Sequence, residues 1–280
     1  MSAPQDLAIA ELTRVLAALN VTATLHVGHV GDEGDGFRWS VAGDVVTVEG
    51  DGPRGALFGA YDFLESLGVL WPVPGREVLP TTATLTDSLG AGAPALLGRC
   101  MIIGTVALLP VLDDWVTWCA RNKINTIFFH TSPPGSGAIG AIPHEDWLGA
   151  RDQAIALLRE RDLVFELGGH GLTHLLPRDR FAQTPEAFRM VKGERRNDSN
   201  FCSSSPIAIA ALREGSRALF EANPDVDVFH VWPDDAGSWC HCPECEQVTP
   251  SEQSMRAVIA VAETLADVNP NAQLAAISYL

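Results

Sequence analysis

The side chains able to do chemistry concentrate in one stretch. Trp232-Pro233-Asp234-Asp235-Ala236-Gly237 is followed almost at once by Trp239-Cys240-His241-Cys242-Pro243-Glu244-Cys245. Acid catalysis on a glycosidic bond needs a carboxyl group near the leaving oxygen, often with a second carboxylate nearby. Side chains alternate on extended backbone, so Asp234 and Asp235 cannot share a face unless the strand has already turned. One is then catalytic or sugar-binding and the other caps or orients, with Asp235 favoured as the general acid and Asp234 as its orienting partner. The plainer alternative is a turn with two solvated acids.

The cysteines suggest a different chemistry. Thiolates two and three residues apart around a proline converge on one soft cation such as zinc. Cys240, Cys242 and Cys245 supply three ligands, and Cys202, in the preceding long loop, is the candidate fourth, with His241 or His170 as substitutes. A structural zinc, reduced free thiols and a disulfide all fit this spacing. A catalytic zinc fits less well, because a closed cysteine-rich site leaves no open position.

A third group is Glu166-Leu167-Gly168-Gly169-His170. Glycines let a backbone approach a ligand closely, and His170 is either a substrate contact at the barrel mouth or a hydrogen-bonded structural His. Glu166 is either a second contact or a buried charge paired with Arg or Lys. Trp232 and Trp239 flank the proposed site and are assigned as sugar-stacking rings, whereas Trp115 and Trp118 read as core. An acid that donates a proton at neutral pH needs apolar surroundings, which Trp232 or Trp239 would supply.

These groups need elements to position them. From about residue 96 the chain alternates short apolar strands with helices, β-α-β-α-β-α-β-α-β, the pattern of a parallel sheet covered by helices. The strands fall at Gly98–Gly104, Ile124–Thr131, Leu163–Leu167, Val226–Trp232 and Gln273–Leu280. The Gly-rich phosphate loop of a doubly wound sheet is missing after the first strand, and polar residues gather beyond several strand ends, which favours a barrel. Residues 1–80 read as a small α+β domain, 81–95 as a linker rich in Thr, Ala and Gly, and 96–280 as the N-terminal part of a TIM-like barrel. In the small domain, Leu57, Tyr61, Leu64 and Leu67 form one helical stripe that Gly68 terminates.

The net charge of −16, from 35 acids against 19 bases, disfavours nucleic acid and anionic membrane as partners. No run approaches the roughly 20 apolar residues of a membrane helix. The start, with Asp6 and Glu11, lacks the basic and apolar regions of a secretory signal. As written the chain reads as cytoplasmic, and as secreted if its start is incomplete. A carbohydrate is the expected partner.

Gly52-Pro53-Arg54-Gly55-Ala56-Leu57-Phe58-Gly59-Ala60-Tyr61-Asp62-Phe63-Leu64-Glu65, with Leu67-Gly68-Val69-Leu70-Trp71, resembles the small N-terminal domain of α-glucuronidases and β-hexosaminidases. Gly169-His170, Phe201-Cys202-Ser203-Ser204-Ser205-Pro206 and the stretch from Trp232 to Cys245 resemble a bacterial family that joins a domain of unknown function to that module. The resemblance implies a (β/α)8 barrel acting on glycosides, here truncated after about five strands. It also implies a strand-four acid as proton donor and a strand-three His as substrate contact. Those enzymes carry Asp-Glu where this chain has Asp234-Asp235. Two rival readings are a non-catalytic carbohydrate-binding barrel and a zinc-dependent hydrolase using the cysteines with His170 or His174.

Overall fold

The computed structural model describes residues 2–133, 140–235 and 238–277. It divides into two compact units, one of Met1–Ile102, Ala107–Ile127 and Ala150–Val164, the other of Ile103–Val106, Phe128–Gly149 and Phe165–Leu280.

In the first unit, helix α1 (Ala3–Ala18) and helix α2 (Pro53–Ser66) pack on a mixed sheet. Pro53 suits the first helical turn, where its missing N–H costs nothing. Gly68, at φ +93°, follows the α2 end in the left-handed region. Leu57, Tyr61 and Leu64 are fully buried, as the stripe predicts. The sheet runs β1 (Thr24–His29), β3 (Val45–Gly50), β2 (Phe37–Ala42), β6 (Ser88–Gly92), with β1 parallel to β3 and the other pairs antiparallel. A hairpin of β4 (Leu70–Val73) and β5 (Arg76–Val78) lies in the same unit.

Strand β6 lies inside the stretch expected to be a linker. Its small residues are needed because Gly90 sits against the Trp39 ring, where a Cβ would collide. The composition that reads as flexible is here the price of close packing. Arg99, at the start of the next strand, pairs with Asp35 at 2.6 Å, and Arg54 joins the same carboxylate at 2.5 Å. Burial works against that charge, but the hydrogen bonds from Arg99 and Arg54 outweigh it and hold Asp35 below the usual carboxylate range.

The five-stranded parallel sheet has the order β13 (Gln273–Ala275), β12 (Val228–Val231), β9 (Val164–Gly169), β8 (Thr126–His130), β7 (Cys100–Ile103). Helices α3 (Leu112–Arg121), α4 (His144–Arg161), α5 (Pro206–Glu221) and α6 (Pro250–Val268) connect successive strands. Each crossover adds its strand next to the previous one, so the order never reverses. The strand sites match the sequence reading, although Ser278, Tyr279 and Leu280 lie outside the described residues. In the second unit Phe129 packs on Trp147 and Phe165, and Phe220 on Phe229.

Between β9 and α5 a long loop carries a short hairpin, β10 (Met190–Val191) and β11 (Glu194–Arg195). Ser205 caps α5, and Thr249 with Glu252 forms a reciprocal capping box on α6, fixing where both helices begin.

Candidate functional site

Three parallel strands bring histidines to one end of the sheet. His130 closes β8, His170 follows β9, and His230 lies in β12. Their rings surround Trp232, with centroids 5.6, 5.1 and 5.2 Å from it respectively. Backbone bonds carry the sheet's pairing past the strand ends: Thr131 N–H donates to Gly168 O at 2.9 Å and Trp232 N–H to Gly169 O at 2.8 Å. Gly169, at φ +144°, is obligatory because a Cβ there would run into the His130 ring.

Hydrogen bonds fix the tautomers. A carbonyl oxygen only accepts, so His170 Nδ1 carries the proton it donates to Pro233 O at 2.7 Å. His130 Nδ1 likewise donates to Gly140 O at 3.0 Å. On both rings Nε2 is then the acceptor nitrogen. Burial, reinforced by His170 and His230, pushes the His130 pKa below its ordinary 6.5 and favours the neutral ring. In β12 the arrangement is reversed: His230 Nε2 lies 2.7 Å from Glu166 Oε2, and His230 Nδ1 is buried without a hydrogen-bond partner among the described residues. Glu166 thus has a partner, but it is His230 rather than the Arg or Lys expected. The stacked Phe128 ring, 4.0 Å from His230, holds the pair in place.

The two acids have different surroundings. Asp234 Oδ2 accepts from Thr173 Oγ1 at 2.6 Å and from Asn200 N–H at 3.1 Å, so it ties the β12 segment to the long loop. Asp235 extends toward His170, with Oδ2 3.4 Å from Nε2, and 67% of its side chain is exposed. The apolar enclosure expected from Trp232 or Trp239 is therefore not built around Asp235. Trp239 is only 5% exposed and packs edge-on against Phe201 at 5.5 Å. Trp232 is half-buried at the rim. His130 and His230 were absent from the sequence reading. Their available signal was weak, a single polar residue near the C-terminal end of each apolar strand.

Cys202, Cys240, Cys242 and Cys245 form a separate buried cluster, their sulfurs all within 4.8 Å of one another. Cys202 Sγ lies 3.7 Å from both Cys242 Sγ and Cys245 Sγ, and all four thiols are unbridged. Among the described residues it is the one group of His, Cys, Asp or Glu arranged to hold a metal. His170 and His174 take no part in it.

Residues 144–280 match DUF4838, a domain of unknown function. The DUF4838 segment contains His170, His230, both aspartates and all four clustered cysteines; His130 precedes it. No curated protein sequence matches the chain.

The solved structures it resembles include glycoside hydrolases. A chitobiase from Flavobacterium johnsoniae aligns at 15% identity and TM-score 0.62, covering 99% of this chain and 47% of that one. A family 115 4-O-methyl-α-glucuronidase with specificity for decorated arabinogalactans aligns at 11% identity and TM-score 0.61, covering 97% and 40%. A family 89 enzyme from Clostridium perfringens, solved with its substrate GlcNAc-α-1,4-galactose, aligns at 10% identity and TM-score 0.63, covering 98% and 37%. At these identities the likeness shows the fold, and the chain spans less than half the length of each.

Proposed function

We propose that this chain is part of a (β/α) barrel of the glycoside hydrolase type that binds and cleaves glycans at the rim around Trp232. The observation that carries the reading is the convergence of His130, His170 and Trp232 with Asp235 beyond the C-terminal ends of parallel strands, where barrel enzymes build their sites. A sheet whose strand order follows chain order without reversal supports a barrel over a doubly wound sheet. A barrel portion beginning near residue 96 would contain the rim.

In this reading Trp232 stacks on a sugar ring, His170 and His130 accept hydroxyl hydrogen bonds at Nε2, and Asp235 donates the proton to the leaving oxygen. Asp234 positions the segment through Thr173 and Asn200. Glu166 acts on substrate only through His230, and Trp239 supports the wall from behind. We also assign the cysteine cluster to a structural zinc. Four buried sulfur ligands saturate a tetrahedral ion and leave no place for substrate water, which sets the zinc-hydrolase alternative aside.

Asp235→Asn in the full chain tests the assignment with a panel of aryl glycosides. Turnover should fall by about 10²–10⁴-fold with sugar binding retained, and unchanged turnover would remove Asp235 from the mechanism. The exposed Asp235 carboxylate favours one second reading, glycan binding without cleavage. Calorimetric binding of oligosaccharides by a wild-type chain that turns over no glycoside would establish it.

A further inference from the structure

Beyond holding a metal, the cysteine cluster stands at the junction of the two loops that meet at Asp234. Resting on the zinc assignment above, we propose that Zn²⁺ at Cys202, Cys240, Cys242 and Cys245 is a clamp that sets the position of the Asp234-Asp235 segment.

The cluster fits a single tetrahedral ion. Zinc–sulfur bonds of about 2.3 Å place ligand sulfurs about 3.8 Å apart, and Cys202 Sγ lies 3.7 Å from two of its three neighbours. A disulfide would need about 2.05 Å and would use only two of the four. Donors are already in place for thiolate charge. Met190 N–H reaches Cys240 Sγ at 3.2 Å, the Arg195 guanidinium lies 3.7 Å from the same sulfur, and the Ser203 hydroxyl is 3.6 Å from Cys245 Sγ. Four thiolates around one dication leave two net negative charges, and Arg195 offsets one of them. Binding releases the thiol protons to solvent, with no redox change.

Connectivity makes this site a clamp. Cys202 comes from the β9–α5 loop, two residues after Asn200, whose N–H donates to Asp234. The other three cysteines come from the segment after β12 that also carries Asp235. Between the two lies Ser238, whose carbonyl accepts from Arg189 at 2.7 Å while Arg189 grips Asp198 through both carboxylate oxygens. From the far side, Gln253 of α6 donates to the carbonyls of Cys240 and Cys245 and accepts from Cys240 N–H. The Arg189–Ser238 and Asn200–Asp234 links between the loops thus flank the segments that carry the four sulfurs. An ion bonded to both loops converts several individually weak bonds into one rigid junction.

The test uses the full chain purified under reducing conditions, with zinc measured by elemental mass spectrometry. It is followed by hydrogen exchange before and after metal removal with a chelator. About one zinc per chain is expected, and removal should speed exchange at the Asn200 amide by about tenfold or more. The amides of Val46 and Val48 in β3 should be unchanged. A zinc-free reduced protein would overturn the zinc assignment itself. One zinc per chain with Asn200 protection unaltered on removal would overturn the clamp and leave the zinc site standing. Loss of protection at Val46 and Val48 as well would also overturn it, by making the metal a global rather than local determinant. Cobalt substitution, read by the thiolate charge-transfer absorption of a tetrahedral site, counts the sulfurs independently of stability. The spectrum should weaken in Cys202→Ser.

Discussion

His170 and Asp235 face each other across 3.4 Å, the imidazole Nε2 toward the carboxylate Oδ2, while Nδ1 of the same ring donates to the carbonyl of Pro233. The residue between Pro233 and Asp235 is Asp234, anchored on Thr173 and Asn200. One histidine therefore holds the segment by its backbone at Pro233 and faces its last acid.

His170→Asn keeps an N–H able to reach Pro233, whereas His170→Phe keeps ring volume and loses both polar contacts. Glycan affinity should fall in the order wild type, Asn, Phe, the last by about tenfold or more, as expected for losing one net hydrogen bond. Titration calorimetry reads this directly. Equal losses in both variants would mean that the Pro233 contact positions nothing.

Gly169→Ala should cost about 3 kcal/mol, because the new methyl meets the His130 ring and an L-residue is strained at φ +144°. Gly193→Ala is the comparison, with φ +80° and open space around it, and should cost about 1 kcal/mol. Denaturant titration of both variants separates collision from strain. Similar costs would show that the His130 ring is not confined by the strand beside it.

Removing Glu166 alone leaves His230 Nε2–H without an acceptor in a part-buried site, and Glu166→Ala should destabilise by about 1–3 kcal/mol. The paired change Glu166→Leu with His230→Phe removes both polar partners and should recover at least half of that. A double variant as unstable as the sum of its singles would contradict the pairing as an isolated unit.

The His130 imidazole should titrate below 6.5 by NMR, since burial disfavours its charged form. Between the lowered folded value and 6.5 the unfolded chain holds more protons than the folded one, so stability is full above 6.5 and declines as pH falls below it. His130→Gln should flatten that decline. A midpoint above 6.5 would mean the ring is not shielded in the way its surroundings indicate.

At lower pH, two carboxylates should control stability in different parts of the chain. Hydrogen bonds from Arg14 hold Glu77 at about 2, and hydrogen bonds from Arg189 hold Asp198 at about 2. A depressed carboxylate contributes stability that is fully present above its unfolded value and lost as pH falls through the folded one. The loss should therefore develop from about pH 4 downward. Hydrogen exchange resolved along the sequence, comparing Glu77→Gln with Asp198→Asn, should show each substitution flattening the acid response around its own site. Identical profiles would refute the separation.

The sequence by itself determined the alternation of strands and helices, because apolar runs bounded by polar turns report local periodicity. It also singled out Gly169-His170, Asp234-Asp235 and the four cysteines, whose types are conspicuous wherever they fall. Only the tertiary structure decided which of these meet. His130 looks like an ordinary strand residue until the parallel sheet brings it to the Trp232 ring, and His230 until Glu166 of the neighbouring strand pairs with it. Trp232 and Trp239 are equivalent as letters, yet one borders the rim and the other is sealed against Phe201. Residues 88–92 have the composition of a linker and become a strand because Phe37 and Trp39 on β2 need small partners. In each case the deciding contact joins residues that local pattern cannot bring together, since their distance in space is set by sheet register and packing rather than by spacing along the chain.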